Sequence, residues 1–244
     1  ALASGTIDSN DGTYIYLTGQ GTGEFAEATA DTDGKAITVF GDAQLSTAQK
    51  KFGTASVLLD GTGDYLSLAL SSDFGFGTGD FTVEGFIRPS SVASGTKVIA
   101  DFRTTSSTAA GVLVLSGSVV EYQSANGAGT ITGSTSLNTN AFYHVAVVRQ
   151  SGVTKLYLNG SQEGSNLADT TDYGSSRPLY IGANLNGSAA FPGYIDEFRV
   201  SKGIARYTTT FTPATSEFTP DVNTSLLIHA NGLSGSTEII DGGI

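Results

Sequence analysis

Short apolar runs, closed by glycine or small polar residues, follow one another along the chain, and this spacing predicts β-strands. YIYL at 14–17, AITVF at 36–40, ASVLLD at 55–60, DYLSLAL at 64–70, DFTVEGFI at 80–87 and KVIADF at 97–102 form a first series. GVLVLSG at 111–117, SVVEYQS at 118–124, FYHVAVVRQ at 142–150, KLYLNG at 155–160, PLYIGA at 178–183 and GYIDEFRV at 193–200 continue it. Only QLSTAQKKF at 44–52 has room for a brief helical turn. So many short strands, with regular turn signals and no long amphipathic helix, predict an all-β antiparallel sandwich or barrel.

Alternation adds detail. In 142–148, Tyr143, Val145 and Val147 share one face, and Phe142, His144, Ala146 and Val148 the other. Both faces are apolar, as expected of a central strand or of one whose outer side is covered. DGTGDY at 60–65 places glycines where a tight hairpin needs positive φ, with Asp at each end to bond turn amides. Asn159-Gly160 is the strongest short-range hairpin signal. Residues 1–13 lack any apolar period and read as a lead-in or linker, and 14–221 read as one main domain. Residues 222–244 read as a C-terminal strand and tail: an ordinary strand of the same sheet, the start of a second module, or an assembly strand that adds to another chain.

Composition narrows the function classes. A net charge of -11 opposes contact with phosphate backbones, so nucleic acid is not an expected partner. With no cysteine the fold has no disulfide staple and must rest on its core. No apolar run is long enough to predict a membrane-spanning helix, and no membrane insertion is expected.

Enzymatic chemistry is hard to place. Retaining glycosidases need two carboxyl groups about 5–5.5 Å apart, and neither an E-x-D-x-E nor an E-x-D-x-x-E spacing is present. Glu84 is alone in its strand, while Asp196 and Glu197 are adjacent and, on a regular strand, point to opposite faces. No G-x-S-x-G elbow occurs, and a zinc site of several His or Cys ligands cannot be built from His144 and His229. His144, in mid-strand, reads as a packed or hydrogen-bonded residue rather than a base. The Gly-rich runs read as turns. Asp196 is the most informative polar residue. Alternation places it with Tyr194, Phe198 and Val200 on an apolar face, where a carboxylate needs a partner.

Four blocks in register resemble the laminin-G-like members of the concanavalin A-like lectin/glucanase superfamily: KFGTASVLLDGTGDYLSL (51–68), DFTVEGFIRPS (80–90), FYHVAVVRQSGVTKLYLNG (142–160) and LYIGANLNGSAAFPGYIDEFRVSKGIARY (179–207). The chain departs from that family in having Phe at 86 and 142, where Trp is usual. The resemblance implies a two-sheet jelly-roll β-sandwich. GDAQLSTAQKKFG and IARYTTTFTPATSEFTPD look like the variants of bacteriophage structural proteins and large bacterial surface proteins, which implies an extracellular, cell-surface or virion-surface setting. It also implies a structural Ca²⁺ held by Asp196, with Asp60 as the next ligand, since calcium takes oxygen ligands. The alternative is that Asp196 caps backbone amides or pairs with Arg88 or Arg149.

A sugar site needs polar groups on loops beside an exposed aromatic. Asp101, Arg103, Asn126, Asn184 and Asn186 lie in expected loops, with Tyr122 and Tyr173 as platforms. The expected function is a non-catalytic recognition module for glycan or another surface polymer. The alternative is a structural or decoration subunit that self-assembles, or joins capsid or fibre proteins, through terminal strands and sheet edges.

Overall fold

The computed structural model describes residues 34–105, 111–124 and 129–243. YIYL at 14–17 and Asn126 lie outside the described residues. Two antiparallel sheets face each other. The first runs in the order β1 (Ile37–Phe40), β4 (Tyr65–Ser71), β13 (Arg177–Ile181), β6 (Thr96–Asp101), β7 (Val112–Ser116), β8 (Val119–Ser124) and β9 (Gly129–Thr132). The second runs β12 (Ser161–Ala168), β11 (Val153–Leu158), β10 (Tyr143–Gln150), β5 (Phe81–Pro89), β14 (Pro192–Lys202), β3 (Ser56–Asp60) and β2 (Gln44–Ser46). A last strand, β15 (Thr224–Ile228), pairs with the C-terminal half of β14. The only helix among the described residues is the 3-10 turn Ser72–Phe74, and none is long and apolar enough to cross a membrane. This is the jelly-roll sandwich expected.

The inward positions of both sheets make one core. Leu66, Leu68, Leu113 and Ile131 of the first sheet belong to the same buried cluster as Val57, Val83, Val145, Leu156 and Val200 of the second. Each such side chain contributes about 1.5–3 kcal/mol by leaving water. The outer face of the second sheet is covered too. Ala205, Tyr207 and Phe211 pack on Ala146, Val148 and Tyr157, while Phe52, Phe142 and Phe218 pack on Phe86 and Leu227. That cover accounts for the apolar character of both faces of β10.

Four expectations change. DGTGDY is not a hairpin, because β3 belongs to one sheet and β4 to the other, so the turn carries the chain across the sandwich. Its glycines do adopt positive φ, +88° at Gly61 and +79° at Gly63. Asp64 holds it by accepting the amides of Asp42 (2.8 Å) and Asp60 (2.9 Å). QLS at 44–46 is strand β2 rather than a helical turn, paired with β3. No domain boundary falls at 221: Leu226, Ile228, Ala230 and Ile239 join the main core. The tail then runs along the free edge of β2, where Leu45 exchanges backbone hydrogen bonds with Gly235 and Ser236. Finally, a β-bulge interrupts β14 between Asp196 and Arg199, with Glu197 at φ +51°.

Candidate functional site

On the outer face of the first sheet, three rings form a ladder across neighbouring strands. Phe40 stacks on Tyr65 with centroids 4.3 Å apart, and Tyr65 lies 6.4 Å from Tyr180. Their outward aim follows from the pleat. Leu66, Leu68, Leu179 and Ile181 take inward positions, so Tyr65 and Tyr180 must face out. Tyr180 is paired with Asp101 on β6, whose side chain shares that face. Asp101 is fully buried and accepts from Arg103 Nε (2.9 Å) and Nη2 (2.7 Å), and from the Leu185 amide (3.2 Å). Asn184 Oδ1 accepts the amides of Asn186 and Ser188, both at 3.0 Å, folding a tight loop against the Tyr65 ring at Gly187. The result is half-exposed aromatic surface bordered by a neutralised Asp–Arg fork and a polar loop.

The structure places Asp101, Arg103, Asn184 and Asn186 near one another, with Asp101 corrected from a loop to the last residue of β6, and Asp101 and Asn184 spend their oxygens on local contacts. Tyr122 and Tyr173 are corrected as exposed platforms: both point into the core, 3% and 1% exposed. Their hydroxyls bond each other at 2.9 Å, and Tyr173 donates to Asp169 Oδ2 at 2.6 Å, which also accepts from Thr154. Burial drives both phenols well above their ordinary range. Alternation held the signal for Tyr122, since VVEYQS puts it in phase with Val120. The same rule would have found Tyr65 and Tyr180, which the loop-centred search passed over.

Asp60 and Asp196 do not form one calcium site. Asp60 pairs with Pro192 and Val57 with Ile195, so Asp196 lies level with Ser56, about 13 Å along the strands from Asp60. Asp196 instead caps a loop, its Oδ2 accepting the amides of Lys51 (2.6 Å) and Phe52 (3.2 Å). Burial raises its pKa to about 7 against the pull of the Lys51, Phe52 and Glu197 amides. The bulge also undoes the expected alternation: Tyr194 faces out under Arg88, while Ile195, Phe198 and Val200 face the core. Asp196 and Glu197 therefore both turn outward, Glu197 accepting the Phe218 amide at 2.7 Å.

Glu84 has partners from three other segments. Fully buried, it accepts from Arg199 Nη2 (2.6 Å) and Tyr207 Oη (2.8 Å) and shares a 3.0 Å hydrogen bond with His144 Nε2. Burial alone would raise its pKa, but the His144 bond and the Arg199 charge more than offset that and lower it. A separate open groove of about 340 Å³ lies on the second sheet, lined by Gln150, Ser151, Lys155, Asn166 and Thr208 among others.

Known structures agree on the architecture. Domain 4 of an extracellular arabinanase from Geobacillus stearothermophilus, solved with arabinotriose, superposes with a TM-score of 0.52 at 17% identity, over 70% of this chain and 82% of that one. A Bacteroides ovatus protein named as a candidate carbohydrate binder gives 0.52 at 19%, over 84% of this chain and 56% of that one. The ligand-binding domain of botulinum neurotoxin serotype D, solved with N-acetylneuraminic acid, gives 0.54 at 18%, over 70% and 43%. The chain thus spans only about half the length of two of these proteins, and at such identities the likeness is one of fold. A search of curated proteins finds no match. A family profile described as the concanavalin A-like lectin/glucanases superfamily matches residues 60–205, more than half of the chain, and places this protein in that superfamily.

Proposed function

We propose that this protein is a non-catalytic glycan-binding module exposed to the extracellular medium, with Tyr65 and Tyr180 as the stacking surface and Arg103 and Asn186 as polar neighbours. The aromatic ladder on the open face of the first sheet carries the reading. Apolar sugar faces pack on flat rings, while hydroxyls find donors and acceptors at the rim. The Asp101–Arg103 pair is internally neutral, and the protein as a whole is acidic, so the ligand class favoured is an uncharged polysaccharide or oligosaccharide. Structures of like fold solved with arabinotriose and with N-acetylneuraminic acid support a sugar ligand.

Binding of the intact chain and of Tyr65→Ala and Tyr180→Ala to an array of neutral and acidic glycans tests this. A neutral glycan is expected to be retained, with about tenfold or greater loss in each variant. No glycan binding at all would overturn the reading. Loss in Lys155→Ala and Asn166→Ala, with the tyrosine variants unaffected, would move the site to the groove on the second sheet. The alternative of self-assembly through the C-terminal strand is disfavoured, since β15 is paired within its own chain and the tail lies along the edge of β2.

A further inference from the structure

Far from the aromatic ladder, three side chains converge where β14, the covering segment and the end of β15 meet. A carboxylate oxygen of Glu197, one of Glu217 and a ring nitrogen of His229 all lie within 4.8 Å of one another. Glu197 is fully buried, and its Oε1 is 2.8 Å from His229 Nδ1. Surrounding bonds fix the carboxylates: Glu197 Oε2 accepts the Phe218 amide (2.7 Å) and Glu217 Oε1 accepts from Asn231 (2.6 Å). Such outer contacts are what orient metal ligands.

A second observation points the same way. Asp196, 1% exposed, turns outward at the same bulge as Glu197, and its Oδ1 is buried without a hydrogen-bond partner. Two carboxylates thus meet one imidazole, with Asp196 beside Glu197 at the bulge. The nearby cations do not balance them, because Arg199 is committed to Glu84 and Lys51 Nζ lies over the Phe52 and Phe86 rings. Glu197, fully buried, is costly as a carboxylate unless a proton or a cation neutralises it.

We propose that Glu197, Glu217 and His229 bind one divalent ion of the zinc class, which staples the covering segment and the end of β15 to β14. Imidazole nitrogen with carboxylate oxygen suits zinc, cobalt or nickel, whereas calcium takes oxygen alone. Small side-chain movements, easiest for the exposed Glu217, bring three ligands to bonding distance, and water supplies the fourth.

Zinc chloride titrated into the full chain by calorimetry, with calcium chloride in parallel, is the test. One zinc ion per chain is expected, with Tm raised about 5–10 °C at roughly 100-fold excess over Kd. His229→Ala and Glu217→Gln are expected to weaken zinc at least tenfold, and His229→Ala to abolish the visible absorption of the cobalt form. Because Glu217 is exposed, its variant keeps the test valid if His229→Ala misfolds. Absence of zinc binding, zinc binding unchanged in both variants, or equal stabilisation of His229→Ala by calcium would each overturn the proposal.

Discussion

Asn159 and Gly160 show how far a dipeptide can fix a fold. They sit at φ +49° and +81°, the pairing a two-residue hairpin requires, and Leu158 registers with Ser161 across the turn. Gly160 carries a second constraint, because a Cβ there would collide with the Phe211 carbonyl of the covering segment. Gly117, at φ +59° in the turn between β7 and β8, has nothing within 4 Å of such a Cβ. Gly117→Ala is therefore expected to cost about 1–2 kcal/mol from the left-handed backbone alone, and Gly160→Ala about 2–4 kcal/mol, with overpacking added. Urea midpoints of the two variants check this, and equal losses would mean that the covering segment yields freely.

The segment from Gly203 to Asp221 makes β10 a doubly buried strand. Its Tyr207 reaches Glu84, while Arg206 forks onto Asp221 at 2.9 and 2.7 Å, closing the segment on itself. Glu84→Ala would leave Arg199 buried and unpaired, at an expected cost of about 3–5 kcal/mol in a denaturant titration. The strand that follows matters as much. Removing residues 222–244 strips Leu226, Ile228 and Ile239 from the core, and with them Asp241, which caps the Leu227 amide at 2.9 Å. A chain ending at Asp221 is expected to be insoluble or molten, judged by near-ultraviolet circular dichroism. A soluble product with native tertiary signal would mean that the sandwich closes without β15.

Acid stability integrates these contacts. Hydrogen bonds and nearby cations hold Glu84, Glu163, Asp73 and Asp221 below their ordinary values of 4.5 for Glu and 3.8 for Asp. Depressed carboxylates contribute stability that is complete above the unfolded pKa and is lost as pH falls through the folded one. Stability is therefore expected to decline once pH drops below about 4.5, with most of the loss from Glu84 and Glu163. Asp73 and Asp221 are half exposed and screened by solvent, so they add little. Urea midpoints at a series of pH values measure the slope, and Glu84→Gln should lower the plateau and flatten the acid limb. An unchanged slope in that variant would place the acid sensitivity elsewhere.

Local chemistry made much of this legible in the chain. Short apolar runs mark β5, β10 and β14 as strands, glycine spacing places the turns, and the Asn-Gly pair sets a hairpin, because each depends on residues close in sequence. Sheet membership depends on contacts between distant segments. DGTGDY looks the same whether it joins two paired strands or crosses between sheets, and pairing of β3 with β14 and of β4 with β13 makes it a crossing. The bulge at Glu197 reverses the facing of Tyr194 relative to Phe198, since one extra residue shifts every following side chain by half a period. Arg103 and the Asn184 loop were visible as polar loop residues, whereas Asp101 closes β6 and the neighbouring Tyr65 and Tyr180 come from strands far apart in the chain. Inward or outward facing of a tyrosine is written in its neighbours, whereas the company it keeps on the surface is set by the order in which the strands pair.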